Sequence, residues 1–97
     1  MKVEKLAKSF FRSLPCAKEP NIVVMTPHGV VPVFFESRPG IPYVSGKVAF
    51  FIHDETPYRV QLDTPMSRVA LVRGLRRIVS EVVGGDMVVP KAKRGPA

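Results

Sequence analysis

Every phenylalanine in this sequence has another beside it: Phe10-Phe11, Phe34-Phe35 and Phe50-Phe51. No other feature constrains the fold as tightly. Adjacent side chains of a β-strand point to opposite faces of its sheet. A strand carrying Phe34-Phe35 or Phe50-Phe51 therefore sets one ring on each side. A chain of 97 residues has room for one domain and one modest core. Two helices cover only one side of so small a sheet, so the other side is expected to show a ring from each strand.

Hydrophobic periodicity divides the chain into a helix, four strands and a second helix. In residues 1–14, Val3, Leu6, Ala7, Phe10, Phe11 and Leu14 recur at three- and four-residue spacing, the pattern of one helix face. Pro15 ends that segment, because the residue before a proline resists helical geometry. Strands are predicted over Ile22–Thr26, Val30–Glu36, Tyr43–His53 and Tyr58–Asp63. Thr26-Pro27-His28-Gly29 supplies a turn between the first two. Pro32 lacks an N–H and assigns its strand to an edge or a bulge. In the last strand, Tyr58, Val60 and Leu62 alternate with Arg59, Gln61 and Asp63, which leaves one face wet.

The second helix is predicted to begin with Thr64 as cap and Pro65 in the first turn, and to end at Gly84-Gly85. Leu71, Val72, Leu75, Ile78, Val79, Val82 and Val83 form its apolar stripe. Met87–Pro90 suits a brief edge strand. The expected fold is thus α+β: a mainly antiparallel four-stranded sheet with an N-terminal and a C-terminal helix packed on one face. Residues 1–90 make a single domain, and residues 91–97 a basic flexible tail.

Charge is unevenly spread along this order. The 15 Lys and Arg residues exceed the 8 Asp and Glu residues, for a formal net charge of +7. Residues 21–65 hold four of the acids and only three of the bases, so the excess lies in the first segment, the last helix and the tail. Clustered positive charge attracts polyanions, and nucleic acid is the commonest of these. By strand parity Val48, Phe50 and Ile52 are assigned to the dry face of the third strand, and Lys47, Phe51 and His53 to the wet one. The expected nucleic-acid-binding residues are Lys47, Phe51, Arg59, Arg73, Arg76, Arg77, Lys91, Lys93 and Arg94. The bases would hold phosphates, with Phe51 and either Phe34 or Phe35 stacking on unpaired bases.

Other chemistry has little to stand on. His28 and His53 belong to no metal-ligand spacing, and the His53-Asp54-Glu55 cluster reads as turn chemistry. Cys16 stands alone, so no internal disulfide forms, and Gly84-Gly85 lacks the spacing of a phosphate loop. No enzymatic activity, metal or cofactor is expected. The first segment is broken by charges, and no apolar run approaches membrane-spanning length, which points to a cytoplasmic protein without a membrane partner. An apolar sheet face also suits a second copy, so a homodimer or a non-catalytic interaction subunit is the alternative function. Ten prolines, abundant Val and Arg and no Trp suit a thermophile.

The helix–sheet–helix order, the Phe-bearing strands and the Arg-rich last helix together resemble the ThermoDBP-related single-stranded DNA-binding proteins of thermophilic archaea. The resemblance implies an archaeal protein that clamps single-stranded DNA in a basic cleft with a hydrophobic floor. It assigns no individual residue.

Overall fold

The computed structural model describes residues 1–8, 19–36, 43–44, 47–63 and 66–92. Its strands are β1 (Lys2–Lys5), β2 (Ile22–Thr26), β3 (Gly29–Phe35), β4 (Tyr43–Val44), β5 (Val48–His53), β6 (Thr56–Gln61) and β7 (Met66–Ser67), followed by helix α1 (Arg68–Val83). Five strands form one antiparallel sheet in the order β1-β6-β5-β3-β2, and β4 pairs with β7 in a separate ribbon.

This architecture corrects the expected one. The sheet has five strands instead of four, and α1 is the single helix among the described residues. The segment predicted to open a helix instead supplies β1, which pairs along β6 with Val3 opposite Val60. A stretch this short fits either period, since Val3 flanked by Lys2 and Glu4 also reads as strand alternation. Pairing with β6 and burial of Val3 then decide the outcome, as tertiary context does for short segments. Residues 9–14 of that expected helix lie outside the described residues. The first element among the described residues is thus a strand and not the expected helix.

Local chemistry accounts for most element boundaries. The β2–β3 turn is tied by Thr26, whose Oγ1 accepts from the His28 N–H at 3.1 Å and donates to the Gly29 carbonyl at 2.7 Å. Pro32 lies inside the sheet and not at its edge, with β2 on one side and β5 on the other. Its effect appears in the β3–β5 ladder, which covers only Val33–Phe35 against Ala49–Phe51 and stops where Pro32 has no N–H to continue it. Helix α1 starts later than predicted: Ser67 is its N-cap, with Oγ accepting from the Ala70 N–H at 3.2 Å. Thr64 and Pro65 lie outside the described residues. The helix ends as predicted, with Gly85 at φ +78°, its N–H on the Val82 carbonyl and the Asp86 N–H on Glu81. Those two bonds make a Schellman cap, which favours glycine at the left-handed position.

The core lies between α1 and one face of the sheet. Val3, Val24, Val31, Val33, Phe35, Ala49, Phe51, Tyr58, Val60 and Leu62 meet Leu71, Leu75, Ile78 and Val79 there. Phe51 is 0 % exposed, and its ring stacks on Tyr58 with centroids 4.8 Å apart. The predicted parity of β5 is thus inverted. The β5–β6 hairpin turns on two residues, Asp54 and Glu55, which pairs His53 with Thr56 and hence Phe51 with Tyr58 and Phe50 with Arg59. Phe51 falls on the helix side, while Phe50 shares the outer face with Arg59.

That turn is strained. Asp54 and Glu55 sit at φ +52° and +60°, as a type I′ turn requires, where Asn-Gly or Asp-Gly is preferred. Replacing Glu55 with glycine relieves the Cβ clash, against some loss of chain entropy. We expect Glu55→Gly to stabilise the protein by about 0.5–1 kcal/mol and raise Tm by about 3–6 °C. Calorimetry that gives a lower Tm contradicts this reading of the turn.

Burial raises the Tyr58 hydroxyl above its usual pKa of 10.0, and the Asp54 carboxylate adds to the shift. In the unfolded chain Tyr58 ionises near its usual value, while the folded protein holds the proton to higher pH. The stability linked to this group is therefore intact below pH 10 and is lost as pH rises from there through the folded pKa. Urea denaturation from about pH 8 to about pH 11 should show wild type losing stability relative to Tyr58→Phe only in the upper part of that range. A difference that stays constant with pH contradicts the assignment.

Candidate functional site

Only part of the predicted interface comes together in space. Strand parity places the outer rings Phe34 and Phe50 opposite each other, with Arg59 next in the row. Both rings are half-buried. Arg59 is not a free cation, because its Nη2 donates to Glu4 Oε1 at 3.0 Å across β1 and β6. Phe51 belongs to the core and presents no ring to a ligand. Of the expected stacking residues, Phe34 keeps an outward position, Phe35 is buried, and Phe50 takes the place given to Phe51.

The helix arginines lie on the other side of the sheet. Helix α1 buries Leu71, Leu75, Ile78 and Val79 against the inner face, so Arg73, Arg76 and Arg77 are exposed and turned away from it. Among the described residues they make no ion pair. Arg68, absent from the predicted site, sets its guanidinium 5.6 Å from the centre of the Phe35 ring. Lys47 is exposed at the start of β5, and its carbonyl accepts the Leu62 N–H at 2.8 Å. The expected cleft of arginine walls and a phenylalanine floor is thus divided by the sheet itself.

A second basic cluster has its own cavity. The segment after α1 returns to β1, where the Lys5 N–H donates to the Pro90 carbonyl and the Ala92 N–H to the Lys5 carbonyl, each at 2.9 Å. This short parallel contact aligns Lys91 with Lys5. Between them opens a cleft of about 470 Å³, lined by Lys5, Leu6, Ala7, Lys8, Thr56, Lys91 and Ala92. Lys5 lies opposite Tyr58, and Thr56 is two residues from it on β6, so both belong to the helix-bearing side. The charged lining among the described residues is therefore three lysines, while the Thr56 hydroxyl donates to the Asp54 carbonyl at 3.3 Å.

The cleft takes in Lys91 from the predicted site and adds Lys5 and Lys8. Sequence reading passed over those two because a helical first segment gives no reason for Lys5 to meet Lys91. Lys93 and Arg94 follow Lys91 in the sequence and lie outside the described residues. No group of three or more His, Cys, Asp or Glu side chains is placed to hold a metal among the described residues, His53, Asp54 and Glu55 included. No helix of the described residues is long and apolar enough to cross a membrane. Comparison of the chain with protein-family models, curated proteins and solved structures found no match.

Proposed function

We propose that this protein binds nucleic acid through the phosphate backbone, with single strands favoured over duplex and little regard for base sequence, and that it catalyses no reaction. The observation that carries the reading is the cleft where Lys5, Lys8 and Lys91 converge without a lining carboxylate among the described residues. Three lysines bordering one concavity carry like charges, and an anion bound among them offsets that repulsion. Each phosphate so neutralised releases condensed counterions, which drives binding without reading bases. A cavity of this volume admits a nucleotide-sized group. A flexible single strand can feed its phosphates into such a cleft, whereas a duplex presents them on a rigid convex surface.

Arg73, Arg76 and Arg77 would then extend the positive field on the same side of the sheet and favour encounter over tight docking. The rings at Phe34 and Phe50 lie on the far side, so base stacking is not the main source of affinity in this reading.

Fluorescence anisotropy of a labelled single strand, the matching duplex and the matching RNA, from about 50 mM to about 200 mM salt, tests the proposal. Three phosphate contacts predict a slope of log affinity on log salt of about −2 for single strands. Weaker duplex binding is expected at every salt concentration. Failure to bind any of the three at the lowest salt would sink the proposal.

A further inference from the structure

We propose that β2 is a self-association edge, along which two copies of the chain pair antiparallel across a twofold axis to join their sheets into one. The two margins of the sheet are treated differently. At β1 the chain covers its own edge through the Lys5–Pro90 and Lys5–Ala92 hydrogen bonds, and Lys2, Glu4 and Lys5 add charge there. Strand β2, at the other margin, reads Ile-Val-Val-Met-Thr, with none of the charges, prolines or bulges that usually blunt an exposed edge. Among the described residues its outer side has no strand partner.

Pro32 shows which backbone groups of β2 face outward. Val23 pairs with Pro32, which has no N–H, so this pair does not exchange hydrogen bonds. By alternation Met25–Val30 does not either, and Val23 and Met25 turn their N–H and C=O groups to the open margin. The side chains of the same residues form an apolar patch on the outer face. Val23 is 45 % exposed, Met25 76 % and Val30 57 %.

Charge selects a second copy as the occupant. Each chain carries +7, so contact between copies is repulsive over most of the surface. Residues 21–35 contain no Lys, Arg, Asp or Glu, which makes the β2–β3 hairpin the stretch where two copies approach without that penalty. The pattern is also self-complementary. With Val24 facing the partner's Val24, Val23 meets the partner's Met25, and the twofold axis repeats the pair. Both residues of each pair offer outward backbone groups and outer-face side chains, so hydrogen bonds and apolar contacts form in the same register.

Sedimentation equilibrium from about 1 µM to about 200 µM, in about 0.5 M salt to screen the net charge, tests this. The wild type is expected to move from 10.7 kDa toward twice that mass and no further. Met25→Lys sets an ammonium against the partner's Val23 at both symmetric contacts, in place of an apolar pair, and should raise the dimer dissociation constant by at least roughly tenfold. Met25→Pro deletes an N–H that β3 does not use, and should have a similar effect while leaving the hairpin paired. Melting curves confirm folding, and Met25→Lys alone decides the matter if the proline variant does not fold. A wild type that stays monomeric, a mass that grows beyond two copies, or a Met25→Lys protein that dimerises like wild type would each overturn the proposal.

Discussion

Phe51→Ala should cost about 3–5 kcal/mol, a large share of the total stability of a domain this size. The side chain is fully buried between sheet and helix, packed on Tyr58 and flanked by Val33 on the neighbouring strand. Removing it leaves a cavity that the surrounding β-branched side chains fill poorly. Phe50→Ala removes the same number of atoms one residue away, from a half-buried site on the outer face, and should cost less than about 1.5 kcal/mol. Urea denaturation of the two variants measures the difference directly. If Phe50→Ala proves the more damaging, β5 is in the opposite register and the core assignment fails.

The second large effect concerns the cleft. Lys8 and Lys91 are exposed and outside the core, so their replacement should leave folding unchanged. Lys8→Ala combined with Lys91→Ala removes two of the three lysines that line the cavity. Affinity for a single strand should fall roughly tenfold near physiological salt, and the salt slope should become shallower by about 1.4. Arg73→Ala combined with Arg77→Ala is the matched control, because it removes the same formal charge from the solvent face of α1. Equal losses in the two double variants would mean that net charge, and not the cleft, governs binding.

How legible the molecule is in its sequence depended on whether the deciding signal was local. The β2–β3 hairpin, the apolar stripe of α1 and its Gly84-Gly85 terminus could be read directly, because turn chemistry and helical periodicity are short-range. The first segment could not. Val3 and Leu6 satisfy a helical period, and what makes Lys2–Lys5 a strand is the distant partner β6. The parity of β5 was within reach. Counting Asp54-Glu55 as a two-residue turn would have placed Phe50 opposite Arg59 and Phe51 opposite Tyr58, whereas a longer turn hides that pairing.

The candidate site divides along the same line. Sequence reading located the basic character of the molecule and included Lys91, yet it joined rings and arginines that the sheet holds apart. The Lys5–Lys91 contact spans nearly the whole chain and depends on a segment returning along β1. No local pattern announces such a return. A tail read as a free basic extension conceals it.

The most direct test of phosphate capture in the cleft is a two-dimensional amide-proton titration of the protein with a short single-stranded oligonucleotide at low salt. Saturable shifts concentrated at Lys5–Lys8, Thr56 and Lys91–Ala92 are the predicted result. Shifts confined to the Phe34 and Phe50 region of the outer face, or spread evenly over every exposed cation, would contradict it.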